Sequence, residues 1–151
     1  MAIGTGATIE FFGTQDTVSG TTSAVTNGSF SATADINAWT NDDNAVYASA
    51  ILSCTFAVAP TANTAVTLYA RLMNIQSTND ALVPDANNRH VFLGVFPLND
   101  STTAQLISIE IPLPNTVTSQ VYEFYLQNGA GQSIPAGWAL YITPKALGPR
   151  A

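Results

Sequence analysis

In Val121-Tyr122-Glu123-Phe124-Tyr125-Leu126, the side chains of Tyr122, Phe124 and Leu126 fall on one face of an extended chain, because successive side chains of a β-strand point to opposite sides. Residues 66–72, 106–111 and 138–143 show the same period of two. Pro112 and Pro144 follow the last two segments directly. Since proline cannot donate to a β-ladder, we expect both strands to end there. Further candidate strands are residues 8–12, 30–36, 46–58 and 91–96.

Turn-forming residues separate these segments. Asn-Gly occurs at 27–28 and 128–129, and Asn/Asp clusters occur at 41–44, 85–88 and 99–100; these residue types favour turns. Eight or nine short strands with regular turns predict an all-β fold, an antiparallel β-sandwich or jelly roll of about eight strands. No segment carries a sustained 3.6-residue period, so we expect no long helix.

The first 22 residues differ from the rest, because they are rich in Gly and Thr and contain few large apolar residues apart from Ile9, Phe11 and Phe12. One interpretation is an extended arm that contacts a partner through these three side chains. The other is an edge strand followed by a long loop. If the segment is an arm, removing residues 1–20 should weaken assembly and leave the isolated fold intact. Residues 23–151 are assigned to one β-sandwich domain, since a chain of 151 residues buries a sizeable core as a single domain.

The chain is unusually poor in charge. Only 9% of its residues are charged, against about 25% in typical proteins. Lys and Glu are depleted at protein interfaces, so the composition indicates either a surface that partners cover or a neutral, Thr/Asn-rich surface that stays in water. A net charge of −6 with four scattered basic residues argues against nucleic acid and anionic membranes as partners. The amino terminus lacks signal-peptide character and no apolar run is long enough to span a membrane, which predicts a soluble chain made in the cytoplasm.

Catalytic groups are scarce in the sequence. The chain has one histidine, His90, in a polar loop, and one cysteine, Cys54, in an apolar strand pattern; we expect a solvated loop histidine and a buried structural thiol. No nucleophile elbow, phosphate-binding loop or calcium loop is present. Glu10, Glu110 and Glu123 are expected on the solvated sides of strands. We therefore predict that the protein is not an enzyme and needs no cofactor or metal.

Three aromatic residues stand apart from the predicted core. Alternation assigns Phe30, Phe56, Phe92, Phe96, Phe124 and Tyr141 to the core. Trp39, Tyr47 and Trp138 form either further core, a protein interface or a platform on which a sugar stacks, because Trp and Tyr serve all three purposes. The sequence leaves these alternatives open.

Several motifs follow one another in an order that resembles a known family. They are Ser23-Ala24-Val25-Thr26-Asn27-Gly28-Ser29-Phe30, Val66-Thr67-Leu68-Tyr69, Phe92-Leu93-Gly94-Val95-Phe96-Pro97-Leu98, Ile111-Pro112-Leu113-Pro114 and the segment 124–132. In this order the chain resembles the capsid cement or decoration proteins of tailed bacteriophages and related head-associated jelly rolls. The motifs span most of the chain, residues 23–143.

The resemblance implies a virion structural protein. Such a protein is a homotrimer on the outer capsid surface, where it binds the major capsid protein and stabilises contacts between neighbouring copies. The alternative that the aromatic residues support is a carbohydrate- or receptor-binding β-sandwich module of a phage head fibre or tail.

Overall fold

The computed structural model describes residues 7–75, 80–89 and 91–149, and its regular secondary structure is almost entirely β-strand. Among these residues one 3₁₀ turn, Thr33–Asp35, is the only helical element. The all-β prediction is therefore confirmed. The nine strands in the described part of the chain are β1 (Thr8–Phe12), β2 (Asp16–Thr17), β3 (Trp39–Thr40), β4 (Tyr47–Cys54), β5 (Ala65–Met73), β6 (Val91–Pro97), β7 (Gln105–Pro112), β8 (Val121–Asn128) and β9 (Ala139–Pro149).

The strands form two antiparallel sheets. The first sheet has the order β1-β9-β4-β7, with β2 also paired to β9, and the second has the order β3-β8-β5-β6. The backbone N–H of Gly13 donates to the Pro144 carbonyl at 2.8 Å, so β1 and β2 run along β9 as one interrupted edge strand. Counted in this way, eight strands form two four-stranded sheets. The chain changes sheet after every strand except between β5 and β6, which are neighbours in the second sheet, and this is the arrangement of a jelly roll.

The core lies between the two sheets and follows the alternation in the sequence. Tyr122, Phe124 and Leu126 of β8 are fully buried, and Tyr122 stacks on Phe124 with ring centroids 5.6 Å apart. Along β4, every second residue is buried, from Ala48 to Cys54. The side chains that face between the sheets exclude water from a continuous apolar layer, and its burial is the main force that holds the sheets together.

Two strand predictions are wrong. Residues 30–36 do not form a strand: they contain two isolated bridge residues, Phe30 and Ile36, on either side of the turn Thr33–Asp35. The strand predicted to end at Pro144 continues to Pro149. The carbonyl of Pro144 points toward Gly13, and its nitrogen faces the same side, where the edge strand is interrupted between β1 and β2. Proline lacks a backbone N–H, but at this position the neighbouring strand is interrupted, so few hydrogen bonds of the sheet are lost.

The alternating pattern also assigns some aromatic residues to the core incorrectly. Phe92 was expected inside but is 55% exposed, whereas its neighbour Leu93 is buried. The register between β5 and β6 shifts at Leu68/Tyr69, and such a bulge turns the following side chain to the opposite face. Phe30 and Tyr141, also expected in the core, are only partly buried.

The amino-terminal segment is built into the domain and does not extend away from it. Residues 8–12 form the edge strand β1, as the second interpretation expected. Beyond it, Val18 and Val25 are buried, and the Asp35 carboxylate accepts hydrogen bonds from the backbone N–H and hydroxyl of Ser23 at 3.1 and 2.7 Å. Residues 18–35 thus pack against the sandwich as part of its structure.

Candidate interaction surface

The most exposed paired strands lie at one end of the first sheet. The last register pair between β4 and β9 is Tyr47 with Lys145; beyond it, within the described chain, β9 pairs only with β1. This leaves a two-stranded extension made of Thr8–Phe12 and residues 145–149, here called the β1–β9 ribbon. A ribbon of two strands has no core of its own, so both of its faces present side chains to the surroundings.

The outer face of the ribbon combines apolar side chains with one neutralised cation. Phe12 lies opposite Lys145 in the register and Glu10 lies opposite Leu147. Phe12 and Leu147 are 63% and 65% exposed. Exposed large apolar residues are unremarkable singly but indicate contact sites when they occur together.

Lys145 is the centre of an ion-pair cluster on this face. Its ammonium lies 3.0 Å from a Glu110 carboxylate oxygen and 3.4 Å from one of Glu10. The same ammonium lies 5.3 Å from the Phe12 ring centroid and 6.0 Å from that of Tyr47, within range of cation–π attraction. The hydrogen bond to Glu110 raises the pKa of Lys145 above its ordinary value. The cluster fixes the ribbon against β4 and β7 and leaves the cation with two anionic partners.

The inner face of the ribbon borders an open, mostly apolar groove of about 290 Å³. Its lining includes Phe11 and Ala146 of the ribbon together with Asp43 and Ala45. Phe11 lies over Gly148, where an added Cβ would meet the phenyl ring at 2.8 Å. The glycine is therefore required for this close approach.

The residues proposed from the sequence are only partly brought together. Ile9, Phe11, Phe12 and Tyr47 all belong to the ribbon or its junction with β4. Ile9 is partly buried and Tyr47 is partly exposed. The ribbon thus unites residues that the sequence separates by 35 positions or more.

The two tryptophans do not belong to this surface. Trp39 is 7% exposed and Trp138 is 2% exposed, so the interpretation of either as a stacking platform is wrong. The Trp39 indole N–H donates to Asp16 Oδ2 at 2.8 Å, and that of Trp138 donates to the Ser23 carbonyl at 2.9 Å. Each ring packs in the core and anchors part of the amino-terminal segment through its N–H.

A second exposed apolar site was not found from the sequence. On the outer face of the second sheet, Phe92 packs against Tyr69 with ring centroids 6.0 Å apart, and Tyr69 packs against Phe30 at 5.5 Å. The Arg89 guanidinium carbon lies 5.9 Å from the Phe30 ring centroid. The site depends on the β5–β6 bulge, which alternation alone does not predict.

The remaining candidate groups have structural surroundings. Cys54 is buried, and burial raises its pKa to about 11, which keeps the thiol protonated and unreactive at neutral pH. The Glu123 carboxylate receives a hydrogen bond from Arg71 at 3.0 Å and another from the Tyr125 hydroxyl at 2.9 Å. No cluster of three His, Cys, Asp or Glu side chains suited to a metal occurs in the part of the chain that is described. His90 lies outside the described residues.

Two comparisons of the sequence with known proteins found no match. No protein-family model matches the chain, and no curated protein matches it significantly. Within residues 7–75, 80–89 and 91–149, no helix has the length and apolar character that crossing a bilayer requires.

Proposed function

We propose that this domain is a virion structural protein of the capsid cement or decoration type. In this role it binds the outer capsid surface as a homotrimer and stabilises contacts between neighbouring major capsid proteins. The order of motifs across residues 23–143 supports the proposal, as does the jelly-roll architecture, which is used by viral capsid proteins and by lectins. Because one architecture serves many functions, the fold alone does not identify this function, and the exposed surface provides the further support.

The observation that carries the proposal is the β1–β9 ribbon. Its outer face offers Phe12 and Leu147, both mostly exposed, next to a lysine whose charge is already balanced by Glu10 and Glu110. Covering such a face removes apolar area from water, which favours association. The cost of burying an unpaired charge is avoided, since Lys145 keeps its partners.

A trimer strengthens such a contact without new chemistry. Stable protein interfaces bury about 1,600 Å² in total, more than one narrow ribbon supplies. Three linked copies turn the second and third binding events into intramolecular ones, so modest single contacts yield high overall affinity. Stabilising a shell in this way requires contacts and no catalytic group.

The test is binding of the purified protein to capsids that lack it, measured by co-sedimentation over a range of protein concentrations. Leu147→Ser should weaken binding by tenfold or more per contact, because about 1.5 kcal/mol or more of apolar burial is lost. Leu106→Ser is the matched control: Leu106 is 73% exposed and lies on β7, at the opposite edge of the same sheet. This control should bind like the unmodified protein.

Two results would contradict the proposal. One is a protein that does not sediment with capsids at any concentration tested. The other is equal loss of binding in Leu147→Ser and Leu106→Ser, which would show that the ribbon has no special part in the contact. Multi-angle light scattering of the unmodified protein tests the trimer separately.

The alternative of a carbohydrate-binding module loses its main support. It depended on Trp39 and Trp138 as exposed stacking residues, and both side chains lie in the core. Of the three aromatic residues considered, Tyr47 alone is partly exposed, and its ring faces Lys145. A glycan array read with the purified protein should therefore show no binding.

A further inference from the structure

The first strand is attached to the domain in an unusual way. None of the residues in Thr8–Phe12 is buried, and its register partners all lie in residues 145–149 of β9. Releasing β1 would therefore leave the core between the sheets closed. The energetic cost of release is confined to the ribbon.

The contacts of β1 form a self-contained set. Five register pairs join it to β9, the Glu10 carboxylate lies 3.4 Å from the Lys145 ammonium, and the Phe11 ring covers Gly148. None of these contacts requires that the two strands belong to the same molecule. A copy of β1 from a second chain would meet the same complementary charge, the same aromatic contact and the same space above the glycine.

The connection to the rest of the chain permits such an exchange. Residues 13–15 separate β1 from β2, lie outside any strand and are exposed. The hydrogen bond from the Gly13 N–H to the Pro144 carbonyl would pass to the neighbouring copy together with β1. Beyond residues 13–15, Asp16 is tied to the Trp39 indole N–H and Val18 is buried. The chain is therefore fixed from residue 16 onward, and a change of direction at 13–15 would redirect β1 alone.

We infer that β1 is a strand-exchange element, and that its second occupant is another copy of this chain. In the assembled state, β1 of one copy pairs with residues 145–149 of its neighbour. The contacts made and lost are then the same, so the exchange depends on copy concentration and on the conformation of residues 13–15. A closed ring in which every copy gives and receives one strand satisfies all ribbons. Exchange goes beyond capsid binding and does not depend on it.

Paired cysteines test the exchange in the purified protein. Phe11 and Ala146 are register partners, and directly opposite residues of antiparallel strands lie close enough for a disulfide. The variant Phe11→Cys/Ala146→Cys is prepared in a Cys54→Ala background, oxidised at a concentration where light scattering shows an oligomer, and run on a non-reducing denaturing gel. The same sample treated with a short bis-maleimide covers the case in which disulfide geometry is unfavourable.

Two controls define the expected patterns. Ser49→Cys/Thr143→Cys bridges β4 and β9 inside the first sheet and should close within one chain, giving a monomer band. Leu106→Cys, exposed and distant from the ribbon, reports cross-links that arise by collision. Exchange predicts covalent oligomers for the Phe11/Ala146 pair well above the amount seen with Leu106→Cys.

A monomer band with its cross-link inside one chain would overturn the inference. So would a full-length protein that stays monomeric at the highest concentration tested, or an oligomer that persists unchanged when residues 1–12 are removed. Because no capsid is present in these measurements, a cross-link inside one chain leaves the proposed capsid binding to its own test, whereas a strictly monomeric protein would also contradict the proposed homotrimer.

Discussion

Two truncations that differ by eight residues should separate the ribbon from the folded domain. Removing residues 1–12 deletes β1, which contributes no buried side chain. Removing residues 1–20 also deletes Asp16, which accepts the Trp39 indole hydrogen bond, and Val18, which is 1% exposed. If residues 1–20 were a free arm, the fold should survive their removal. The burial of Val18 contradicts that expectation.

The sizes of the two effects follow from these contacts. Loss of a fully buried valine costs about 1.5–3 kcal/mol of stability, and a buried indole N–H left without an acceptor costs roughly 1–3 kcal/mol. The longer truncation should therefore lower the free energy of unfolding by roughly 3–6 kcal/mol, a large part of the 5–15 kcal/mol that is typical of a domain. The shorter one removes only surface contacts and should cost about 1 kcal/mol or less.

Urea denaturation followed by tryptophan fluorescence measures both changes, since both tryptophans lie in the core. With a denaturant dependence of about 2 kcal/mol per molar urea, the midpoint should fall by roughly 1.5–3 M for the longer truncation and by no more than about 0.5 M for the shorter. Asp16→Ala and Val18→Ala in the full chain should each reproduce part of the larger loss. Equal midpoints for the two truncated chains would refute the reasoning.

Two further predictions concern the core and its turns. Burial raises the pKa of the Cys54 thiol from 9.0 to about 11, so the thiol ionises at lower pH in the unfolded chain than in the folded one. The contribution of the neutral thiol to the free energy of unfolding is therefore complete below pH 9. It is lost as the pH rises toward 11, by at most about 2–3 kcal/mol. Urea midpoints measured from pH 8 to 11 should fall less in Cys54→Ala than in the unmodified protein, and parallel curves would contradict this. Gly131 and Gly137 both have positive φ, +76° and +91° respectively. At Gly131 an added Cβ would lie 2.2 Å from Thr61 Oγ1, whereas at Gly137 it would meet nothing within 4 Å. Thermal unfolding should show a loss of about 1–2 kcal/mol for Gly137→Ala from backbone strain alone and about 1–3 kcal/mol more for Gly131→Ala from the clash; equal losses would show that Thr61 moves aside at no cost.

Alternation predicted the strands of the sandwich well because it reports a physical requirement. The predicted strand at residues 8–12 coincides with β1, and that at 106–111 lies one residue inside each end of β7. In β8, the three residues assigned to one face are all fully buried. Wherever one face of a strand must meet the core, a slip by one residue would expose the whole apolar set, so the pattern is strongly constrained.

The errors occur where a neighbouring element overrides the local pattern. The β5–β6 bulge turns Phe92 outward, and nothing within residues 91–96 signals it. Pro144 is tolerated inside β9 because its nitrogen faces the gap between β1 and β2, a relationship between positions about 130 residues apart. The turns beside Trp39 and Trp138 left their burial open, and the structure places both in the core, where Asp16 and Ser23 accept their N–H groups. These contacts are long-range and cannot be read from spacing along the chain.

The candidate surface was accessible to prediction only in its parts. Ile9, Phe11 and Phe12 were identified as contact residues because they are the apolar residues of a polar segment, and Tyr47 because of its residue type. Their convergence on Lys145 depends on β1 and β4 both pairing with β9. The sequence alone gives no information on that pairing order.

The most direct test of the account is the copy number of this chain in purified virus particles, measured by quantitative mass spectrometry against the major capsid protein. A cement protein that joins neighbouring capsid proteins should be present at a fixed, high ratio, of the same order as the capsid protein itself. Absence from the particle, or only a few copies per particle, would contradict the proposal that this jelly roll stabilises the capsid surface.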